Sequence, residues 1–381
     1  MPKQGIPVNK DIITWARKRA HLSLAEAAEK FARIEEWETP DGAFPSYPQL
    51  EKMADEFKVP IAVFFFPAPP DVPPIRESFR TLPDTEFDSI PRRIVLLLRK
   101  AKALQLNLAE LFFGKNPASR RITLDIEFTA QTSIEKLATR VRDYLGITLD
   151  QQTAWPDDDE ALKAWRQVLI GVGIYVFKDQ FRVENYSGFS LYDDVFPIIY
   201  VNNSTSKTRQ IFTLFHELGH LLFHTSGIDT LDNHFIEDLP EQQKKIEMLC
   251  NRFAAEFLLP QKVFNEAVSG HPPTEQTAEL LASRFHVSRE FIFRRFLDRG
   301  EINQDAYLQA AKKWAHQKKQ NAPGGNPYWN KLAYLGRDYV AVVFSQYYKN
   351  RIDDEQLGSY LDTKPKNIAT LEEYFLKGNT A

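Results

Sequence analysis

The segment Ser204–His224, STSKTRQIFTLFHELGHLLFH, decides how this chain is read. It carries two histidines four residues apart, His216 and His220, with Glu217 directly after the first. On a helix, positions i and i+4 lie one turn apart on one face, so both imidazoles can aim at a single point. Such a pair suits a zinc ion (Zn2+), which needs a third protein ligand and in catalytic sites keeps one position open for water. Glu217 then stands beside that water as its general base, because zinc lowers the pKa of a bound water towards about 7.

The rest of the segment supports a helix. Ile211, Leu214, Phe215, Leu218, Leu221 and Leu222 recur at i, i+3, i+4 and i+7 and form one apolar stripe. At 100° per residue the histidine pair points almost opposite that stripe, so one face should anchor in a core and the other look into a cleft. A solvated face that happens to carry two histidines fits poorly with phenylalanine and leucine on nearly every side. Gly219 suits close packing of the helix against a neighbour. His224, a further turn along but off the direction of the pair, reads as a hydrogen-bonded structural histidine.

Bulk properties bound the answer. A chain of 381 residues should hold two or three domains, and 43% hydrophobic and 13% aromatic residues are ample for real cores. The net charge of −3 argues against a protein that coats nucleic acid. The single cysteine, Cys250, permits no internal disulfide and fits a reducing compartment. The N-terminus lacks the apolar core of a signal peptide, and no apolar run approaches the ~18 residues of a membrane span. The expectation is a soluble, cytoplasmic protein with no membrane partner.

The chain reads as α+β and predominantly helical. Residues 1–66 form a small helical domain: a helix over 9–20, a capping box at Ser23-Leu24-Ala25-Glu26 opening a helix to about Arg33, and a third helix over 48–57. PAPPDVPP at 67–74 marks a linker, and 67–156 reads as linker plus helices over 88–114 and 133–145. Residues 157–300 form the domain of the histidine pair. It contains a helix over 158–170, strands GIYVFK (173–178) and PIIYV (197–201), a helix over 241–259 and two shorter helices separated at 285–288. The strand 197–201 could offer an edge to an extended peptide. Residues 301–381 form a helical C-terminal domain.

HELGHLLFH with the preceding FTL, and IEMLCNRFAAEFLLP at 246–260, resemble the ImmA/IrrE family of zinc metallopeptidases, in particular members with an N-terminal helix-turn-helix of the Xre type. LSLAEAAEKFA, PIAVFFFPAPP, SFRTLP (78–83), SGFSLYDD and 326–352 add to the resemblance, which covers most of the chain. It implies a gluzincin-like metallopeptidase domain with a small mixed sheet, flanked by helical domains. The implied activity is cleavage of a regulatory protein partner, typically a repressor.

Two glutamates compete as third ligand. Glu247 is followed at one-turn intervals by Asn251, Ala254 and Leu258, and that side adjoins the apolar stripe of Ile246, Phe253 and Phe257, so Glu247 should project into the domain. Glu256 points the opposite way, where an exposed i, i+4 pair with Arg252 accounts for it. The resemblance puts its ligand at Glu247 as well. Asn251 is placed to hydrogen-bond a ligand histidine from the second shell. Cys250 reads as a buried, inert thiol. Tyr186, Tyr200 and His234 are loose candidates for stabilising an oxyanion.

DNA is a weaker partner expectation. In residues 1–66 the turn and the start of a recognition helix look shortened, RIEEWE (33–38) is acidic, and nine Lys/Arg face ten Asp/Glu. Residues 281–300 and 357–375 also have helix-turn-helix patterning, with a plain helical hairpin as the simpler reading. The expected function is a zinc metallo-endopeptidase (HExxH) acting on a repressor or on an antitoxin/toxin partner in transcription regulation or stress response. The alternative is a non-catalytic regulatory binding protein, an antitoxin or repressor, with a structural or vestigial metal site.

Overall fold

In the computed structural model, residues 5–71, 90–129, 133–230, 241–317 and 325–378 are described. They divide into two compact units. One unit holds the described residues up to 99 and the other those from 100 onward, the division falling inside the helix Arg92–Leu111.

The first unit is helical. Asn9 accepts the Asp11 N–H and opens α1 (Lys10–Arg19), and Ser23 and Glu26 close the expected capping box on α2 (Leu24–Lys30). α2 stops at Phe31 rather than near Arg33. It is followed by α3 (Ile34–Glu38), only five residues long, then α4 (Tyr47–Phe57) and a 3-10 turn over Ile61–Phe65. Ile12, Ala16, Ile34, Trp37, Leu50, Met53 and Phe57 fill the core. Trp37 and Ile34 are therefore spent on packing, and Glu38 on a two-pronged pair with Arg17 at 2.6 and 2.8 Å. What the short α3 has left for a surface is acidic.

The second unit is mostly helical around one four-stranded mixed sheet. Its helices begin with the part of α5 (Arg92–Leu111) from Lys100 onward, then α6 (Ile122–Asp125), α7 (Ile134–Leu145), α8 (Leu149–Thr153) and α9 (Asp158–Gly171). Strands β1 (Tyr175–Asp179), β2 (Tyr186–Leu191) and β3 (Ile198–Asn202) lead into α10 (Lys207–Leu222), and β4 (Ile228–Thr230) follows it. The sheet order is β1-β3-β2-β4, with β1 and β3 parallel and the other pairs antiparallel. β2 and β4 are not legible in the sequence, because a serine- and glycine-bearing strand and a three-residue strand carry little periodic signal. It also offered 197–201 as an edge for a peptide. β3 is instead internal, bonded on both sides, and has no free edge.

After β4 come α11 (Glu241–Leu258), α12 (Gln261–Val268), α13 (Glu275–Phe285), α14 (Arg289–Asp298) and α15 (Gln304–Gln317). α12 was not foreseen. α16 (Pro327–Leu335), α17 (Arg337–Tyr348), α18 (Asp354–Tyr360) and α19 (Ile368–Lys377) complete the unit. One continuous core joins Leu137, Val141, Trp165, Ile199, Phe215, Leu218, Phe253, Phe257 and Phe296. Helices expected in a linker region thus help build the core: α7 contributes Leu137, Ala138, Val141 and Leu145. Among the described residues, no helix is long and apolar enough to cross a membrane.

Candidate metal centre

Ser206 caps α10 by accepting the Arg209 N–H, and the helix runs unbroken through the histidine pair. From Gln210 to Leu222 every residue but Phe212 is buried, including His216, Glu217 and His220. The expected cleft-facing side is therefore covered. β2 and β4 lie against one side of the helix, and α11 crosses another. Gly219 permits that crossing, since a Cβ there would stand 3.0–3.3 Å from the Cys250 atoms of α11.

Three donors converge. His216 Nε2 and His220 Nε2 are 3.2 Å apart, with Glu247 Oε2 3.3 Å from the first and Glu247 Oε1 3.1 Å from the second. Donors on a tetrahedral ion with bonds of about 2.0–2.1 Å are separated by about 3.3 Å, so two imidazoles and a carboxylate in such close contact have the chemistry to hold a zinc ion. Among the described residues, His216, His220 and Glu247 form the single such group of His, Cys, Asp or Glu side chains. The two imidazoles and the carboxylate also shift one another's titration. Burial alone would raise the Glu247 carboxyl, but the two imidazoles pull it far below the usual carboxylate range. Burial would lower both imidazoles, yet surrounding negative charge, Glu247 included, raises them.

The neighbours fix each part. His216 Nδ1 lies 3.1 Å from Asn251 Oδ1, the relation expected of a residue one turn after Glu247. His220 is hemmed in by Gly227, whose missing side chain leaves room for the imidazole. Glu217 Oε2 accepts the Ser190 hydroxyl at 2.6 Å, while Glu217 Oε1 is buried and has no partner among the described residues. Burial pushes the Glu217 carboxyl up to about 7. Asp229 of β4 receives both Arg209 and Thr213 of α10 at 2.8–2.9 Å, and Arg209 also reaches Ser187 of β2. This cluster ties the first half of α10 to the sheet.

Other candidates fall elsewhere. Glu256 accepts the Gln261 N–H with both oxygens at the start of α12 and, among the described residues, makes no ion pair with Arg252. Tyr200 is buried on β3, with its hydroxyl 3.3 Å from Asp179. Tyr186 sits half-buried at the start of β2, and its carbonyl accepts Asn202. His234 lies outside the described residues, as does SFRTLP. His224 bonds to the Thr123 carbonyl at 2.9 Å and packs on Tyr192, a structural role. Cys250 is free, buried and pushed up by burial. Sequence reasoning named neither Ser190 nor Gly227 as part of the site.

Residues 171–297 match the family model of the IrrE N-terminal-like domain, Peptidase_M78. Over 99 residues the chain is 35% identical to the radiation response metalloprotease IrrE of Deinococcus radiodurans, covering 26% of this chain and 30% of that protein. It is 34% identical, also over 99 residues, to the radiation response metalloprotease IrrE of Deinococcus deserti, covering 26% of this chain and 34% of that protein. The chain thus spans about a third of the length of each relative. These similarities support a metallopeptidase of the IrrE type, and with it a metal cofactor.

Proposed function

We propose that this chain is a zinc-dependent endopeptidase that cleaves one specific regulatory protein, repressor-like or part of a toxin–antitoxin pair, in transcriptional regulation or a stress response. One arrangement carries the reading: two imidazoles and a carboxylate gathered at one point, beside a buried carboxylate with one oxygen unpaired among the described residues. His216, His220 and Glu247 hold the ion, and Asn251 keeps the first imidazole in the tautomer that leaves Nε2 free. When bound, zinc polarises the scissile carbonyl and makes water more acidic.

Glu217 is the base. A carboxyl near 7 can both take and return a proton at neutral pH. Its Oε1 accepts a proton from water as the water oxygen bonds to the carbonyl carbon. The proton then passes to the amide nitrogen as the C–N bond breaks, leaving a carboxylate and an amine.

A protein partner fits better than DNA. Of the arginines in 281–300, Arg294 pairs with Asp298, Arg295 holds Gln261 and the Ala255 carbonyl, and Arg299 holds Glu301. Three of the five arginines there are thus already engaged within the chain. The test is to incubate zinc-loaded protein with the proteins that co-purify with it and to read discrete fragments by mass spectrometry. Glu217→Gln should keep zinc and lose about 10²–10⁴ in rate. If wild-type protein yields no fragment that this variant lacks, a non-catalytic regulatory binding protein replaces the reading.

A further inference from the structure

We propose that Ser190 is a positioning residue for Glu217, anchoring one carboxylate oxygen so that the other is the oxygen that works as base. The inference rests on the base role given to Glu217 above and adds how that base is aimed.

The hydrogen-bond geometry leaves little choice. A serine hydroxyl has one proton to give. Gly227 N–H donates to Ser190 Oγ at 3.3 Å, which occupies a lone pair and turns the hydroxyl proton towards Glu217 Oε2, 2.6 Å away. Both side chains are fully buried, so water does not compete. Among the described residues, Glu217 Oε1 meets no donor. An unpaired buried oxygen on an anchored carboxylate is costly to keep, and a proton acceptor needs such an oxygen.

The backbone that presents Ser190 is fixed as well. β2 is paired on both sides, with Ser190 opposite Ile199 of β3 and its N–H bonded to the Gly227 carbonyl at 3.0 Å. Positions two apart on a strand share a face and lie about 6.7 Å apart, close to the 6 Å between positions four apart on a helix. Gly188 and Ser190 therefore match Thr213 and Glu217. A Cβ on Gly188 would fall 2.4 Å from the Thr213 methyl, so the glycine lets β2 close onto α10 and brings Ser190 within reach of Glu217.

A double-mutant cycle read by binding tests this without a substrate. The probe is acetohydroxamic acid, whose hydroxyl proton must pass to a nearby base when it binds as an anion. Its dissociation constant is measured calorimetrically on zinc-loaded wild type, Ser190→Ala, Ser190→Thr, Glu217→Gln and the Ser190→Ala/Glu217→Gln double variant. Zinc content is assayed for each.

We expect Glu217→Gln and Ser190→Ala each to weaken binding at least about tenfold. Ser190→Thr, which keeps the hydroxyl, should restore most of it, and Ser190→Ala should cost nothing further in the Glu217→Gln background. Zinc content should not change. Equal binding by wild type and Glu217→Gln would sink the base role itself and this inference with it. A weakened Glu217→Gln beside an unaffected Ser190→Ala overturns the inference alone. So does a Ser190→Ala cost that is the same in both backgrounds, or a loss of zinc from Ser190→Ala, since either marks a general structural role.

Discussion

A side chain on Gly227 and the imidazole of His220 cannot coexist: a Cβ at Gly227 would lie 2.4 Å from His220 Cδ2 and 2.8 Å from its Nε2. Gly227→Ala should therefore turn the ring away from Glu247 and lower zinc affinity by at least about tenfold. Gly171→Ala is the matched control, because nothing lies within 4 Å of the Cβ it would add. Chelator competition on the two variants decides, and equal zinc retention would refute the steric account.

Asn251 holds His216 from the helix that also supplies Glu247. Asn251→Ala removes the acceptor 3.1 Å from His216 Nδ1 and should cost about 10–100-fold in metal affinity with the fold intact. Asn251→Asp keeps an acceptor and should stay near wild type. An alanine variant with wild-type affinity would show the contact to be incidental.

Glu247 and Glu256 separate by what each substitution takes away. Glu247→Ala removes the carboxylate lying 3.1 and 3.3 Å from the two imidazoles and should abolish stoichiometric zinc. Glu256→Ala should leave zinc in place and lose about 0.5–1.5 kcal/mol of stability, because the Gln261 N–H loses its acceptor. Zinc analysis and urea unfolding of both variants check this together.

Lys178 gives a pH dependence of definite sign. Burial, with Arg166 and Lys207 adding, pushes its amine down to about 6, and it lies 3.2 Å from Gln210 on α10. An unfolded lysine titrates near ~10.4, so between pH ~6 and ~10 the unfolded chain binds the extra proton. Lys178 therefore makes stability rise with pH across that window, by up to about 1.4 kcal/mol per unit, with its full penalty below pH ~6. Lys178→Met should be more stable at pH 7 and lack that share of the slope. Urea midpoints at pH 6 to 9 measure it, and parallel curves for the two proteins would refute it.

The parts of the site that were legible in the sequence share one property: they are set by the geometry of a single helix. His216 and His220 follow from i, i+4 spacing, and Glu247 and Asn251 from one face of a second helix. Ser190 and Gly227 were illegible because their place depends on which strands neighbour each other. β2 must lie between β3 and β4 before Ser190 can meet Glu217, and no local pattern states that order. The same lack made 197–201 look like an edge. The sequence suggests that Glu256 pairs with Arg252, whereas it serves the start of α12. In the first unit the capping box at Ser23 was readable, whereas the early end of α2 was not: Phe31 leaves the helix to pack with Trp37 and Phe57.

β3, bonded along both edges, runs into α10 with only a short turn between them. Amide hydrogens of Ile198–Asn202 and of the His216–His220 turn should then be among the slowest in the protein to exchange with solvent, opening only with the whole second unit. The metal-binding residues would so belong to the last part of the protein to loosen on heating. A partial opening that exposes another surface, or releases another helix, can come and go without disturbing them.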